Sequence, residues 1–526
     1  MDSQPHPPTV PTAFDRISLT DPLALIDAHD RLDPEACYRA CATRDVRFDG
    51  RFFIGVRTTG IYCRPICPAR TPNRENVRFF RTAAAQAAGL RPCLRCRPEV
   101  SPDHAAWRGG SDTVSRALAL IEAGALDEAG VEDLASRLGI CGRQLRRLFE
   151  QHLGASPVAV AQTRRVHLAK HLIHETDLTM THVALASGFG SVRRFNETFQ
   201  GLFGRPPASL RRARQHTVDP TAVTIRLPYR APYDWEALLA FLATRAIPGV
   251  ETITAGRYAR TIGLDGAAGT LTVEQGGPGG PGAGGTLRVT VRFPKLEALP
   301  RIIARVRRVF DLGADPALIG AHLAEDPLLA PLVAARPGLR VPGAWDGFEL
   351  AVRAILGQQI SVPAATGLAG RIVAAYGEPL TDPAAVSLGL SHCFPAPERL
   401  AGADIAGMGM MPGARAAALA AFAAAVCANP ALLHPYRPLD EAVADLVALP
   451  GIGPWTANYI AMRALRETDA FPAADVGLMR ALADPAGHRP GAAELLLAAE
   501  GWRPWRAYAA MHLWASLATP AAVTES

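Results

Sequence analysis

Four cysteines stand in two close pairs, Cys63-x-x-x-Cys67 and Cys93-x-x-Cys96, with 25 residues between the pairs. Two short pairs at that separation can converge on a tetrahedral Zn²⁺ held by four thiolates. Four thiolates on Zn²⁺ carry a net charge of about −2, which keeps sulfur anionic and nucleophilic at neutral pH. The spacing by itself fits a structural metal as well as a reactive one. A second constellation lies far along the chain, where Leu449-Pro-Gly-Ile-Gly-Pro-Trp-Thr-Ala-Asn-Tyr459 is followed by Phe471-Pro-Ala-Ala-Asp475. Gly451 and Gly453 permit a tight hairpin between two helices, and without Cβ atoms their backbone can come close to a ligand. Pro454 suits the first turn of the second helix, whose outward N–H groups can receive a phosphate. Asp475 follows that helix, just past Pro472, where a loop can carry a carboxylate into a cleft. The competing reading is a helical hairpin of packing interest only.

The elements that must hold these residues can be read from periodicity and punctuation. In the first hundred residues, Asp49-Gly50 signals a turn, Arg51 to Arg57 alternates like a strand, and both cysteine pairs sit in Pro- and Arg-rich loops. Cys37 and Cys41 have helical spacing and read as buried thiols. Residues 112 to 214 read as two helix-turn-helix units. Val131 to Gly139 precedes the basic helix Arg143-Gln-Leu-Arg-Arg-Leu-Phe149, and Val183 to Gly190 precedes Ser191-Val-Arg-Arg-Phe-Asn-Glu-Thr-Phe199. A long amphipathic helix, about Pro157 to His174, joins them. Ser191 is a good N-cap. Arg143, Gln144, Arg146, Arg147, Arg193, Arg194 and Asn196 are candidates for groove and phosphate contacts. A polar linker, Arg211 to Thr221, leads to strand-like alternation from Val223, a helix from Asp234 to Ala246, and strands over 261–274 and 286–293. The Gly/Pro-rich 276–285 reads as a flexible loop. From Leu296 the chain is helical, punctuated by Pro and Gly.

Three resemblances follow from these motifs. Arg57-Thr-Thr-Gly-Ile-Tyr-Cys63-Arg-Pro-Ile-Cys67-Pro-Ala-Arg, Asn73-Arg-Glu-Asn-Val and Leu90-Arg-Pro-Cys93 resemble the N-terminal domain of the Ada adaptive-response proteins. The resemblance implies one Zn²⁺ held by Cys63, Cys67, Cys93 and Cys96. Cys63 is then the acceptor of a methyl group from a DNA methylphosphotriester, with Arg64 or Arg57 over the phosphate. Losing one thiolate makes the site less negative by about one charge, so DNA binding should tighten once per protein molecule. The paired helix-turn-helix units, with Gly188-Phe-Gly and Phe203-Gly-Arg-Pro-Pro, resemble the AraC-type regulators. From about Tyr229 to about Pro520 the chain resembles the helix–hairpin–helix DNA glycosylases. Ala354-Ile-Leu-Gly-Gln-Gln-Ile-Ser361, Phe471 to Asp475 and Trp502-Arg-Pro-Trp-Arg-Ala-Tyr508 through Trp514 match the 3-methyladenine glycosylase II subfamily. That likeness implies base flipping into an aromatic pocket, lined by Trp455, Tyr459, Trp514, Phe241 and Gln358. Aromatic faces attract electron-poor alkylated rings by roughly 0.5–2 kcal/mol each. Asp475 then stabilises the charge that builds on the sugar, with Asp469 and Asp484 as weaker alternatives. Trp502 and Trp505 read as core. Gln359 stands at the wedge position, where the resembled enteric enzyme has an apolar residue. Trp455 stands where strand-cleaving relatives have a lysine, and no lysine follows Lys295, so a monofunctional hydrolase without a cofactor is implied. There is no Pro-Cys-His-Arg, so O⁶-methylguanine transfer is not expected. Cys141, Cys393 and Cys427 read as packing residues.

The 526 residues suffice for three or four domains. The expected fold class is multidomain, mainly α with small α+β parts. The expected units are a disordered tail over 1–30, a zinc domain over 31–105, a double helix-turn-helix over 110–215, a β-rich subdomain over 222–300 and a helical glycosylase domain over 301–520. A net charge of +6, carried almost wholly by arginine, is mild for a nucleic-acid binder. Expected partners are double-stranded DNA, carrying alkylated bases, methylphosphotriesters or promoter sequence, and RNA polymerase; the chain is expected to be a monomer. With no signal peptide and no 18-residue apolar run, a cytoplasmic location is expected. Two alternatives stand beside the repair-enzyme reading. In one, the C-terminal half keeps its fold and DNA affinity but not catalysis; in the other, the zinc is purely structural.

Overall fold

Polar residues set just before apolar runs start many of the helices. Ser156, Thr179, Ser191, Asp234, Asp315, Asp346, Ser361 and Asp475 each accept a backbone N–H from the first turn that follows. The computed structural model describes residues 34–517, apart from 46–47, 50–51, 81–89, 94, 97, 99–112, 212–221, 279–283, 435–437 and 485–486. The expected tail, nearly all of the expected linker and the centre of the Gly/Pro-rich loop lie outside the described residues. Among the described residues the molecule is mainly helical, with a four-stranded sheet, a five-stranded sheet and one two-stranded pairing of Glu378–Pro379 with His392–Cys393.

The first sheet explains how distant cysteines meet. Strands β1 (Phe53–Val56), β2 (Ile61–Cys63), β3 (Val77–Phe80) and β4 (Arg91–Pro92) are ordered β3-β1-β2-β4. β2 and β4 run parallel, with Tyr62 opposite Pro92. Cys63 ends one strand and Cys93 follows the other, so the register sets the two cysteine pairs side by side. The helix Pro34–Ala42 closes one face and buries Cys37 and Cys41 against Phe52, Ile54 and Val77, so both are packing thiols as expected.

The two helix-turn-helix units use the helices Val131–Arg137 with Gly142–Leu153, and Met180–Ala186 with Val192–Phe203. The joining helix runs Pro157–Glu175. Gly188, at φ +86°, turns the second unit, and a Cβ there would lie 2.4 Å from the Asp127 carboxylate. The first unit closes on Leu134, Leu145, Phe149 and Leu153. In the second, Phe189, Phe195, Phe199 and Phe203 form a chain of rings with centroids 4.8–5.3 Å apart.

An antiparallel sheet follows, ordered β5-β9-β8-β7-β6, from β5 (Val223–Pro228), β6 (Glu251–Thr254), β7 (Arg257–Leu264), β8 (Ala267–Pro278) and β9 (Gly285–Arg292). The stretch expected to be strand over 261–274 is a hairpin. Asp265 and Gly266, both at positive φ, make its two-residue turn. The expected loop at 276–285 is shorter than its composition suggested, because ladder pairing extends to Pro278 opposite Gly285. The apolar core of this sheet is continuous with that of the second helix-turn-helix unit. The helix Leu299–Val309 also packs into it rather than into the helical core beyond.

The remaining helices share one large core that includes Ile355, Leu419, Phe422, Ile460, Trp502 and Leu513. Trp502 and Trp505 are core residues, as expected. The helices Leu439–Val447 and Pro454–Arg463 form the hairpin, with Gly451 at φ +77° between them. A Cβ on Gly451 would lie 2.5 Å from the Ala418 Cβ, so conformation and close approach both demand glycine. Among the described residues no helix is long and apolar enough to cross a membrane.

Candidate active site and metal centre

The sulfurs of Cys63, Cys67, Cys93 and Cys96 all lie within 4.8 Å of one another. Tetrahedral Zn²⁺ with Zn–S bonds of about 2.3 Å needs sulfurs about 3.8 Å apart, so the donor set fits the ion. The backbone N–H groups of Arg64 and Arg95 point at the sulfurs of Cys96 and Cys93, each at 3.3 Å, as suits anionic thiolates. Three of the four thiols are buried; Cys63 alone is partly exposed.

Arg64, expected over a DNA phosphate, is not available for that contact. It is 3% exposed, its guanidinium is paired with the Asp49 carboxylate, and it donates to the Cys96 carbonyl at 3.1 Å. A buried cation must be paired, and the carboxylate that pairs it lies 15 residues upstream, outside the motif. Arg57 is exposed, with one guanidinium N–H on the Glu75 carbonyl at 3.0 Å.

The metal cluster is held against both neighbouring regions. Tyr62 Oη lies 2.6 Å from His167 Nε2 on the joining helix, and Lys170 Nζ donates to the Cys93 carbonyl at 3.1 Å. Arg230, just after β5, donates to the Asp49 carbonyl.

On the two basic helices Arg143, Gln144, Arg147, Arg194 and Asn196 are exposed. Arg146 pairs with Glu132 at 2.9 Å and Arg193 with Glu197 at 2.8 Å. Both pairs are solvent-facing and weak, so they yield readily to a phosphate.

The C-terminal constellation converges on Asp475. The indole N–H of Trp455 donates to Oδ2 and that of Trp514 to Oδ1, both at 2.8 Å. Oδ1 also accepts the Leu478 N–H at 3.0 Å, so Asp475 caps the helix Val476–Ala481. It is therefore a helix cap as well as a loop residue. Trp455 and Tyr459, one turn apart on the hairpin's second helix, stack at 5.2 Å with ring planes 9° apart. Trp514 meets Tyr459 edge-on at 6.4 Å. Gly477 makes room: a Cβ there would be 3.2 Å from the Trp514 ring. The alternatives Asp469 and Asp484 stand apart from these rings. Asp469 is paired with Arg503 and Arg506, and Asp484 accepts the His488 N–H at 2.9 Å.

Gln358, expected to line the pocket, ties its amide to the hairpin. Nε2 donates to the Gly451 carbonyl at 2.8 Å and to Thr456 Oγ1 at 3.2 Å. Gln359 is exposed and held at φ +59°, in the left-handed backbone region. Phe241 shares Arg463 with Tyr459, and two cations stand over its ring: Arg245 Cζ is 3.8 Å and Arg463 Cζ 4.8 Å from its centroid. Arg463 also donates to Tyr459 Oη at 2.6 Å. Burial pushes the Tyr459 phenol up, but the positive charges of Arg463 and Arg245 outweigh it and leave the phenol below its usual range.

Comparison with known proteins matches this layout. The metal binding domain of Ada matches residues 36–99, a helix-turn-helix domain residues 134–213 and the AlkA N-terminal domain residues 224–346. A Mycobacterium tuberculosis protein described as "Probable bifunctional transcriptional activator/DNA repair enzyme AlkA" is 42% identical over 94% of this chain and 98% of its own length. The chain belongs to this family of activator/repair proteins. Its C-terminal part is similar to the DNA-3-methyladenine glycosylase 2 of Escherichia coli, 37% identical over 55% of this chain and 95% of that protein. Its N-terminal part is similar to the bifunctional transcriptional activator/DNA repair enzyme Ada of Escherichia coli, 37% identical over 29% of this chain and 42% of that one.

Sequence reasoning missed four residues of this activator/repair chain: Asp49, Lys170, Arg245 and Arg463. Lys170 carried one signal, being one of only two lysines in the chain. Cys141 and Cys427, expected to pack inside, are exposed; only Cys393 of that trio is buried.

Proposed function

We propose that this chain repairs alkylated DNA and reports its damage. The C-terminal half removes alkylated bases as a monofunctional DNA-3-methyladenine glycosylase. The N-terminal zinc domain accepts a methyl group from a DNA methylphosphotriester and switches the helix-turn-helix pair toward promoter DNA.

The observation that carries the glycosylase reading is the Asp475 carboxylate, oriented by two indole N–H groups beside the stacked Trp455 and Tyr459. A duplex base reaches such a site only by leaving the stack. As the C1′–N bond breaks, its electron pair goes to the base and positive charge builds on the sugar. Asp475, fixed before the reaction, stabilises that charge and orients the water that adds at C1′. Water yields its proton as the C1′–O bond forms, leaving free base and an abasic site. Trp455 takes the place of a Schiff-base lysine, so the strand stays intact. The backbone at Gly451–Gly453 and the N-terminus of the helix Pro454–Arg463 grip a phosphate, and Gln359 fills the vacated stack. Release of 3-methyladenine from alkylated DNA by the wild type but not by Asp475→Asn is the test. Equal release by both, or none by the wild type, leaves only a regulator.

In the zinc domain, Zn²⁺ when bound keeps the four sulfurs as thiolates. Cys63, the partly exposed one, attacks the methyl carbon. The C–O bond breaks toward the phosphate, leaving a phosphodiester and a thioether. Mass spectrometry after incubation with methylphosphotriester DNA tests this; an unmodified Cys63 leaves the metal a structural role.

A further inference from the structure

The turn that carries Gln359, the glycine hairpin and a third helix meet at one junction. Gln358 and Gln359 lie between the helices Gly347–Leu356 and Val362–Tyr376. The left-handed backbone of Gln359, at φ +59°, is one that residues with side chains avoid, and it persists only where neighbours fix it. Those neighbours act on Gln358. Its carbonyl accepts from Arg415 Nη2 at 2.5 Å. Its side-chain Nε2 donates to the Gly451 carbonyl at 2.8 Å and to Thr456 Oγ1 at 3.2 Å. Arg415 belongs to the helix Gly413–Ala428. The same helix carries Ala418, whose Cβ leaves Gly451 no room for one of its own. Turn, hairpin and helix therefore each adjoin the other two.

A carboxamide nitrogen has two N–H groups, and both of these have acceptors. One reaches the turn of the hairpin; the other reaches buried Thr456 in the first turn of the helix Pro454–Arg463. The amide nitrogen thus has no donor left for a base in the pocket. What it joins are two parts that must act together on one strand. The hairpin holds a phosphate while Gln359 enters the space that the flipped base leaves, so their separation has to match the DNA. A misplacement of about 1 Å in such an arrangement is enough to slow a reaction severely.

Resting on the glycosylase reading above, we infer that Gln358 is a positioning residue: it ties the turn that carries Gln359 to the hairpin, so that wedge and phosphate grip meet the strand at a fixed separation. Gln358 acts through Gln359 and not on the base. A purely structural residue, or one lining the pocket, would act independently of the wedge.

The test is a double-variant cycle in the full chain. It reads single-turnover release of 7-methylguanine from a duplex, with 2-aminopurine beside the lesion reporting unstacking by its fluorescence. Gln358→Met keeps the length of the side chain and removes both donors; Gln358→Ala removes the stem as well. Gln358→Met and Gln359→Ala are each expected to slow release roughly tenfold and to weaken the 2-aminopurine signal. In the Gln359→Ala background, either change at Gln358 is expected to add less than about twofold, since a missing wedge cannot be misplaced. Losses that multiply in both double variants overturn the inference. So does full-rate release by both Gln358 variants, or by Gln359→Ala; in each case the glycosylase reading stands. Failure of the wild type to release either 7-methylguanine or 3-methyladenine overturns the glycosylase reading itself, and the inference with it.

Discussion

Lys170 donates from its fully buried ammonium to the backbone carbonyl of the zinc-binding Cys93, 3.1 Å away and 77 residues earlier in the chain. The lysine lies on the helix joining the two helix-turn-helix units, so regulator and metal centre share a hydrogen bond. Replacing it leaves the Cys93 carbonyl with one fewer donor. Lys170→Met is expected to cost about 1–3 kcal/mol of stability. Denaturant melts and the rate of zinc loss to a chelator would register this; no change in either would reduce the contact to a bystander.

Asp475 holds three donors with two oxygens. Asparagine caps helices as well as aspartate does, but its amide nitrogen cannot accept from an indole. Asp475→Asn should therefore fold with a penalty of about 1–3 kcal/mol and lose base release by about 100-fold or more. Circular dichroism and single-turnover excision, measured together, separate the two effects.

Trp514→Phe keeps a ring edge against Tyr459 and removes one donor to the carboxylate. The expected outcome is an intermediate loss, roughly tenfold, additive with neither Asp475→Asn nor Trp455→Phe because all three act on one carboxylate. Additive losses in the double variants would show that the indoles act independently of Asp475.

Thiol reactivity should report the metal. With Zn²⁺ bound, the exposed Cys141 and Cys427 are expected to react first. Chelation should release the four ligands as well and loosen residues 36–99, since so small a core depends on its metal. Base excision should persist. Four thiols that stay unreactive after chelation would contradict the site.

Burial pushes the Glu467 carboxyl up to about 7, with Asp469 adding to the rise and Arg116 opposing it. Oε1 is buried without a partner, as suits a protonated acid. The folded chain then holds a proton that the unfolded chain releases near pH 4.5. Stability therefore falls as pH rises from about 4.5 to about 7, by up to roughly 3 kcal/mol. Glu467→Gln should flatten that part of the profile and be the more stable protein at pH 8, as paired urea melts at pH 5.5 and 8 would show.

The chain itself determined which residues can do chemistry. Cysteine spacing named the four candidate metal ligands, and the Gly451–Gly453 and Phe471–Asp475 words named the hairpin and the candidate acid, because such functions need fixed residue types within one or two turns of backbone. Helix starts were legible for the same reason: a cap acts across three residues. What each side chain meets was decided by docking. Arg64 sits inside a binding motif, yet an aspartate 15 residues upstream takes its charge. Phe241 carries the right ring, yet its neighbour Arg245, four residues on, and the sequence-distant Arg463 already stand over it. Cys141 and Cys427 resemble core residues by type but are exposed. Pairing and burial depend on surfaces that meet only when distant segments pack, and local spacing carries no record of that meeting.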